Sequence, residues 1–82
     1  MDDKTRLFKL VSNDQAKVHK TLLEVYNSLK ERGYNPIDQI VGYLISGDLG
    51  YISSYQDARN KIQQIDRAKI IEVLLQEFFK NN

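Results

Sequence analysis

The chain has no cysteine and no tryptophan, one proline, four glycines and one histidine among 82 residues. Without cysteine there is no disulfide staple, no thiolate metal site and no thiol nucleophile. The one histidine, His19, excludes an imidazole-based metal cluster. Its neighbours at helical spacing are Gln15 and Leu23, so it reads as a partly exposed helix residue. A surplus of one charge is also missing. Twelve basic residues against eleven acidic ones leave a net charge of +1, without the basic bias or stripe of a dedicated nucleic-acid binder. No apolar run approaches membrane-spanning length, and Met1-Asp2-Asp3-Lys4 opens acidic, with no apolar signal core. The expectation is a cytoplasmic chain with no membrane insertion, no metal and no cofactor.

A chain of this length makes one domain with a small and marginal core. Small domains are reinforced by disulfides, metals or oligomerisation. With the first two closed, oligomerisation is the route left.

Residues 1 to about 12 show no helical periodicity; Leu7, Phe8, Leu10 and Val11 alternate loosely with Arg6 and Lys9. This predicts a mobile N-terminal arm, 1–12, ahead of a single helical domain, 13–80. A first helix is expected to start near Ser12 or Asn13, because Ser12 and Gln15 have capping-box spacing. It carries Val18, Leu22, Val25, Tyr26 and Leu29 on one face and stops at Gly33. Asn35-Pro36 opens a second helix as cap and first residue. Ile37, Ile40, Val41, Leu44 and Ile45 cover nearly half of its wheel, which predicts a central helix. Gly42 inside it predicts close approach by another helix, and Gly47 stops it. Residues 48–53 read as a loop with Leu49, Tyr51 and Ile52 exposed or half-buried. Ser53 or Ser54 caps a third helix running to about Gln64, with Ala58, Ile62 and Ile65 inward.

Asp66 caps a fourth helix, in which Ile70, Ile71, Leu74, Leu75, Phe78 and Phe79 span about half of the wheel. Packing on one partner needs a stripe of only about 100°, so this helix predicts two apolar partners. A second copy of the chain supplies the extra one; the alternative is a helix wrapped by the N-terminal arm. The interface and core candidates are Ile40, Val41, Leu44, Ile71, Leu74, Leu75, Phe78 and Phe79. The fold class expected is all-α: a compact dimeric bundle of four to five short helices with helix-turn-helix-like character.

No constellation carries catalysis. Serines 12, 28, 46, 53 and 54 fall at caps, surface or loop positions, and the base a nucleophile needs would have to be His19, in a different element from most of them. Gly47 and Gly50 flank Asp48, which would repel phosphate. The third helix offers Gln56, Arg59, Asn60, Gln63 and Gln64, side chains that can read base edges. Helices 2 and 3 could then mimic a helix-turn-helix, and a small DNA-binding regulator is the alternative reading. DNA affinity depends mainly on phosphate neutralisation, however, and Asp57 and Asp66 partly offset Arg59, Lys61, Arg67 and Lys69. A solvated polar face is preferred. In the arm, Thr5 sits among Asp2, Asp3, Lys4 and Arg6, a charged and accessible context for a kinase. A phosphate there would place up to two negative charges beside Lys4, Arg6 and Lys9.

Three blocks resemble one family. They are Gly33-Tyr34-Asn35-Pro36-Ile37 with Gln39-Ile40-Val41-Gly42-Tyr43-Leu44 and Ser46-Gly47-Asp48; Tyr51-Ile52 with Asp57-Ala58-Arg59-Asn60, Ile62 and the Arg67 region; and Asp3-Lys4-Thr5 with Phe8. Together they are similar to the IreB-like regulatory phosphoproteins, small cytoplasmic bacterial proteins, over nearly the whole chain. The resemblance implies an all-helical homodimer without catalytic activity. It implies threonine phosphorylation in the N-terminal segment by a membrane-anchored Ser/Thr kinase that senses cell-wall state, opposed by a phosphatase, with an unknown downstream protein. Thr5 is the position that carries over; where some relatives offer a second threonine, this chain has Asp2-Asp3. It also departs at Leu49 and Ser53, where relatives tend to have proline, and at Ser54-Tyr55-Gln56, where they carry a basic stretch.

Overall fold

The computed structural model describes residues 3–80, with side chains from Asp14 onward. Four α-helices follow one another: α1 (Asp3–Glu31), α2 (Pro36–Ser46), α3 (Ala58–Gln63) and α4 (Arg67–Lys80), with 3₁₀ turns at Leu49–Tyr51 and Tyr55–Asp57. No strand occurs among the described residues, as the all-α expectation requires.

Not all of the helices are short. At 29 residues, α1 is the axis on which the others pack; its length of about 43 Å sets most of the 48 Å long dimension. Its backbone begins ten residues or so before the start expected at Ser12 or Asn13. Ser12 lies inside the helix and cannot act as an N-cap, which needs non-helical backbone. The physical reason is that no glycine or proline stands between Asp3 and Arg32. Once the packed part of α1 is nucleated, each further residue adds a hydrogen bond at little cost, and Lys4, Arg6, Leu7, Lys9 and Leu10 are good helix formers. Residues 3–13 therefore continue α1 in the backbone.

At its other end α1 stops where glycine predicts. Gly33 has φ +87°, its N–H donates to Lys30 O at 3.0 Å, and Tyr34 N–H donates to Leu29 O at 3.0 Å. These are the paired bonds of a Schellman cap. The opening of α2 is equally local: Asn35 Oδ1 accepts from Asp38 N–H at 3.2 Å and Pro36 follows. Gly47 closes α2 with φ +77°, its N–H donating to Tyr43 O at 2.7 Å. Arg67 reaches across from α4 to donate from Nη1 to Leu44 O at 3.0 Å, placing its charge at the negative end of the α2 dipole. The guanidinium lies against Gly47, where a Cβ would sit 2.8 Å from Arg67 Cζ. Gly47→Ala therefore combines left-handed strain with displacement of Arg67, and should lower stability by about 1–2 kcal/mol in urea melts.

The core is built mainly by α1 and the chain after residue 51, with Tyr43 of α2 as a further buried member. Val18, Val25 and Leu29 of α1 meet Ile52, Ala58, Ile62, Ile65, Ile70 and Val73, all buried, with Thr21 and Ser28 as buried polar residues. Leu22 and Tyr26 are half-buried, so the face expected for α1 is the one it uses. Ala58, Ile62 and Ile65 point inward, also as expected. Ile52, expected exposed or half-buried, is fully buried instead; the two 3₁₀ turns fold the connection under α1 and carry it in.

Two other expectations are corrected. α3 starts at Ala58 and not beside Ser53 or Ser54, because Gln56 (φ 52°) and Asp57 (φ 66°) are left-handed. That conformation is set by contacts to α1: Ser28 Oγ donates to Gln56 Oε1 at 2.7 Å and the Tyr55 hydroxyl donates to Glu31 at 2.6 Å. Nor is α2 central. Only Tyr43 is buried; Ile40 and Leu44 pack partly on the core, while Ile37, Val41 and Ile45 are exposed. Gly42 does meet a close neighbour, but it is the Tyr51 ring from the 3₁₀ turn and not another helix.

Candidate interaction and modification sites

Each helix that lines the groove below has more apolar surface than the single chain covers. In α4, Ile70 and Val73 face the core, while Ile71, Leu74, Leu75, Phe78 and Phe79 remain exposed, Phe79 at 68%. In α2, Ile37, Val41 and Ile45 recur every four residues and form an exposed stripe, with Ile45 at 79%. Leu23 of α1 is exposed at 61%. These surfaces converge on a groove of about 370 Å³. α1 supplies Leu22, Leu23 and Tyr26 as its floor; α2 supplies Ile37, Ile40, Val41 and Leu44 as one wall; Leu74 of α4 lies on the other.

The structure thus places Val41, Ile71, Leu74, Leu75, Phe78 and Phe79 outside the core, and Ile40 and Leu44 between core and groove. Sequence reasoning missed Leu23, Ile37 and Ile45 as parts of the same surface. The four-residue spacing of Ile37, Val41 and Ile45, alongside Ile40 and Leu44, was the available signal: two adjacent stripes imply two neighbours.

α4 is held to α1 by Gln15 Nε2 donating to Gln76 Oε1 at 2.9 Å and by His19 Nε2 at 3.5 Å from Glu77 Oε2. His19 is therefore a half-exposed bridge between helices. Among the described residues, no group of three or more His, Cys, Asp or Glu is placed to hold a metal ion, and no helix is long and apolar enough to cross a membrane.

Across α1 from the groove, the Tyr55–Asp57 turn is pinned to the end of the helix. Tyr55 bonds Glu31, and Arg32 stacks over its ring at 5.2 Å. The bond to the Glu31 carboxylate holds the phenol protonated and raises its pKa above the ordinary value near 10. The neutral phenol is the form the fold favours. Its contribution is present below the unfolded phenol pKa and is lost as pH rises through the folded value, so ionisation of the phenol in alkali releases the pin. In an ultraviolet titration, Tyr55→Phe should remove a late-titrating phenol and leave the rest of the profile unchanged.

Thr5 falls in the first turn of α1 by its backbone; its side chain lies outside those described. What identifies this region is the match of the whole chain. A family model described as IreB regulatory phosphoprotein matches residues 3–80. The chain belongs to the IreB family. The match begins at Asp3 and ends at Lys80, so Thr5, the groove and α4 all lie within it. The IreB-family chain is thus a regulatory phosphoprotein by family, with an all-helical body and an uncovered apolar face.

Proposed function

We propose that this IreB-family chain is a non-enzymatic signalling adaptor, switched when a transmembrane Ser/Thr kinase phosphorylates Thr5 and reset by a cognate phosphatase. It works in the cytoplasm as a homodimer, in cell-wall stress or antibiotic-tolerance signalling, through a downstream protein. The observation that carries this reading is the family match over residues 3–80. The uncovered apolar surface of α2 and α4 supports self-association: exposed patches beyond a few hundred Å² mark interaction sites.

Thr5 suits the role chemically. The sequence sets Lys4, Arg6 and Lys9 around it, and a phosphate gains charge-assisted partners from such residues while repelling Asp2 and Asp3. Lys9 stands four residues on, at the i, i+4 spacing that favours an anion–cation pair on a helix. Phosphorylation would so change the charge and pairing at the start of α1 and alter which partner the dimer engages. The DNA-binding alternative gains little support: α3 is six residues long and Arg59 donates from Nε to Ile52 O.

Incubation with a Ser/Thr kinase from the source cell, followed by intact-mass measurement, tests the switch. One added phosphate is expected on the wild type and none on Thr5→Ala. Equal labelling of the two, or no labelling by a kinase active on another substrate, would remove Thr5 from the proposal.

A further inference from the structure

Among the described residues, Gln56 (φ 52°) and Asp57 (φ 66°) are the positive-φ positions not filled by glycine. We infer that the segment from Ser54 to Gln63 is a two-state element. One state is the turn held on α1 through Ser28. The other is a single continuous helix, formed when Gln56 and Asp57 become right-handed.

Both parts of the joined helix are already present. Ser54 has right-handed backbone, and Ser53 Oγ accepts the Tyr55 N–H at 3.1 Å. That is the bond a helix N-cap makes to the second residue of its helix. Asp57 N–H donates to Ser54 O at 3.1 Å, and right-handed backbone resumes at Ala58. A capped turn therefore stands just before α3, and two left-handed residues keep the two apart. Ser53 and Gln56 also have capping-box spacing. In the joined helix Gln56 is the third residue, the position from which its side chain reaches back to the Ser53 N–H. The local sequence specifies a helix that the fold interrupts. Such conflicts between local preference and fold collect at functional or strained sites.

What interrupts the helix lies largely on α1. Ser28 is 2% exposed, and its hydroxyl donates to Gln56 Oε1 at 2.7 Å. The Tyr55 hydroxyl donates to Glu31 at 2.6 Å, with Arg32 over its ring. Within the segment, Asn60 Nδ2 donates to Asp57 Oδ1 at 2.7 Å and supports the second left-handed residue. Against these bonds stand two left-handed backbones, better tolerated by aspartate than by glutamine, and the loss of a continuous helix. The net gain from one hydrogen bond and the left-handed cost of one residue are of similar size. The two states are thus close in free energy, which is the condition for a switch. Strain of this kind persists only where surrounding contacts impose it, and it clusters at switch regions.

Release leaves no orphan on α1. A helical serine can turn its hydroxyl to the carbonyl four residues earlier, which for Ser28 is that of Glu24. Joining the helix lifts Tyr55 and Gln56 from Ser28, Glu31 and Arg32. Any group that takes Glu31 from the Tyr55 hydroxyl removes one of the bonds holding the turn. The exposed end of α1 and the shape of this segment are coupled in that way.

Nuclear magnetic resonance on the full chain tests this. A positive φ brings a residue's amide proton close to its own Hα, so a strong intraresidue cross-peak marks the turn and a weak one the helix. In the wild type, residues 56 and 57 are expected to give strong cross-peaks. In Ser28→Ala the helical fraction is expected to rise roughly fivefold, the effect of one lost hydrogen bond. It is read from Cα shifts if exchange is fast and from peak volumes if slow. Asp57→Gly is expected to lower that fraction at Gln56, because glycine accepts left-handed backbone and weakens a helix. The double variant Ser28→Ala, Gln56→Ala is expected to give weak cross-peaks at both positions. It should also slow amide exchange at Arg59 and Asn60, which stand in the first turn of α3 now and gain the Tyr55 and Gln56 carbonyls in the joined helix. Unshifted methyl signals of Ile70 and Val73 identify an intact core in each variant. Strong cross-peaks at 56 and 57 in the double variant overturn the two-state element, as does a helical fraction that Ser28→Ala leaves unchanged.

Discussion

Ile62→Ala is expected to destabilise the chain by about 3 kcal/mol, within the range of 2–5 kcal/mol for emptying a buried aliphatic site. Ile62 is fully buried and comes from the six-residue α3, a helix too short to persist without packing. An 82-residue domain has on the order of 4–12 kcal/mol of total stability, so this one change removes a quarter to most of it. The site cannot collapse easily. Ala58 stands one turn earlier with nothing larger than a methyl group to offer, and Val25 and Leu29 are fixed in the long α1. Urea unfolding at matched protein concentration measures the loss; concentration must match because any self-association would add to apparent stability. A cost below about 1 kcal/mol would mean that α3 is not part of the cooperative core.

Gly42→Val is expected to reverse sign with its background. In the wild type it should cost about 2 kcal/mol, although valine is the better helix former. A Cβ at residue 42 would lie 2.7 Å from Tyr51 Cε1 and 2.9 Å from Cγ. The obstruction therefore includes the root of the ring, and rotation of its far end gives no relief. In a Tyr51→Ala background the obstruction is gone, and the same substitution should be neutral or stabilising by a few tenths of a kcal/mol. The cycle measures the coupling between α2 and the 3₁₀ turn directly. Equal cost in both backgrounds would show that Gly42 is there for another reason.

These two sites show which kinds of information the sequence carries. The ends of α2 are legible because their causes are local: Asn35-Pro36 opens it and Gly47 closes it, whatever the rest of the chain does. The same holds for Gly33 at the end of α1. The start of α1 is not legible, because helix propagation through residues 3–12 leaves no cap of its own and the Ser12–Gln15 spacing offers a plausible false one. The start of α3 is hidden for the opposite reason. Gln56 and Asp57 adopt left-handed backbone where Gln56 accepts from Ser28, Asp57 accepts from Asn60 and the adjoining Tyr55 donates to Glu31, and partners 24 and 28 residues distant leave no mark on a helical wheel. Burial of α2 is the most instructive difference. Its pattern states correctly that nearly half of its circumference is apolar, but periodicity does not say whether the cover belongs to the same chain. In α4 the two-sided pattern appears as a buried side, Ile70 and Val73, and an exposed side, Phe78 and Phe79.

The candidate functional residues divide along the same line. The apolar face, Ile37 and Ile45 included, is readable from spacing, and its completion by Leu23 needs the packed structure. Thr5 is readable only through family likeness, since a threonine among charges is common and chemically unremarked until a kinase meets it.

The most direct measurement is the intact mass of the chain recovered from its own cells, before and after exposure to an antibiotic that blocks cell-wall synthesis. A singly phosphorylated species mapping to Thr5, whose fraction changes with the treatment, is the result expected of a phosphorylation-switched regulator. A chain found only unmodified in both states, or modified at Thr5 to the same extent in both, would contradict it.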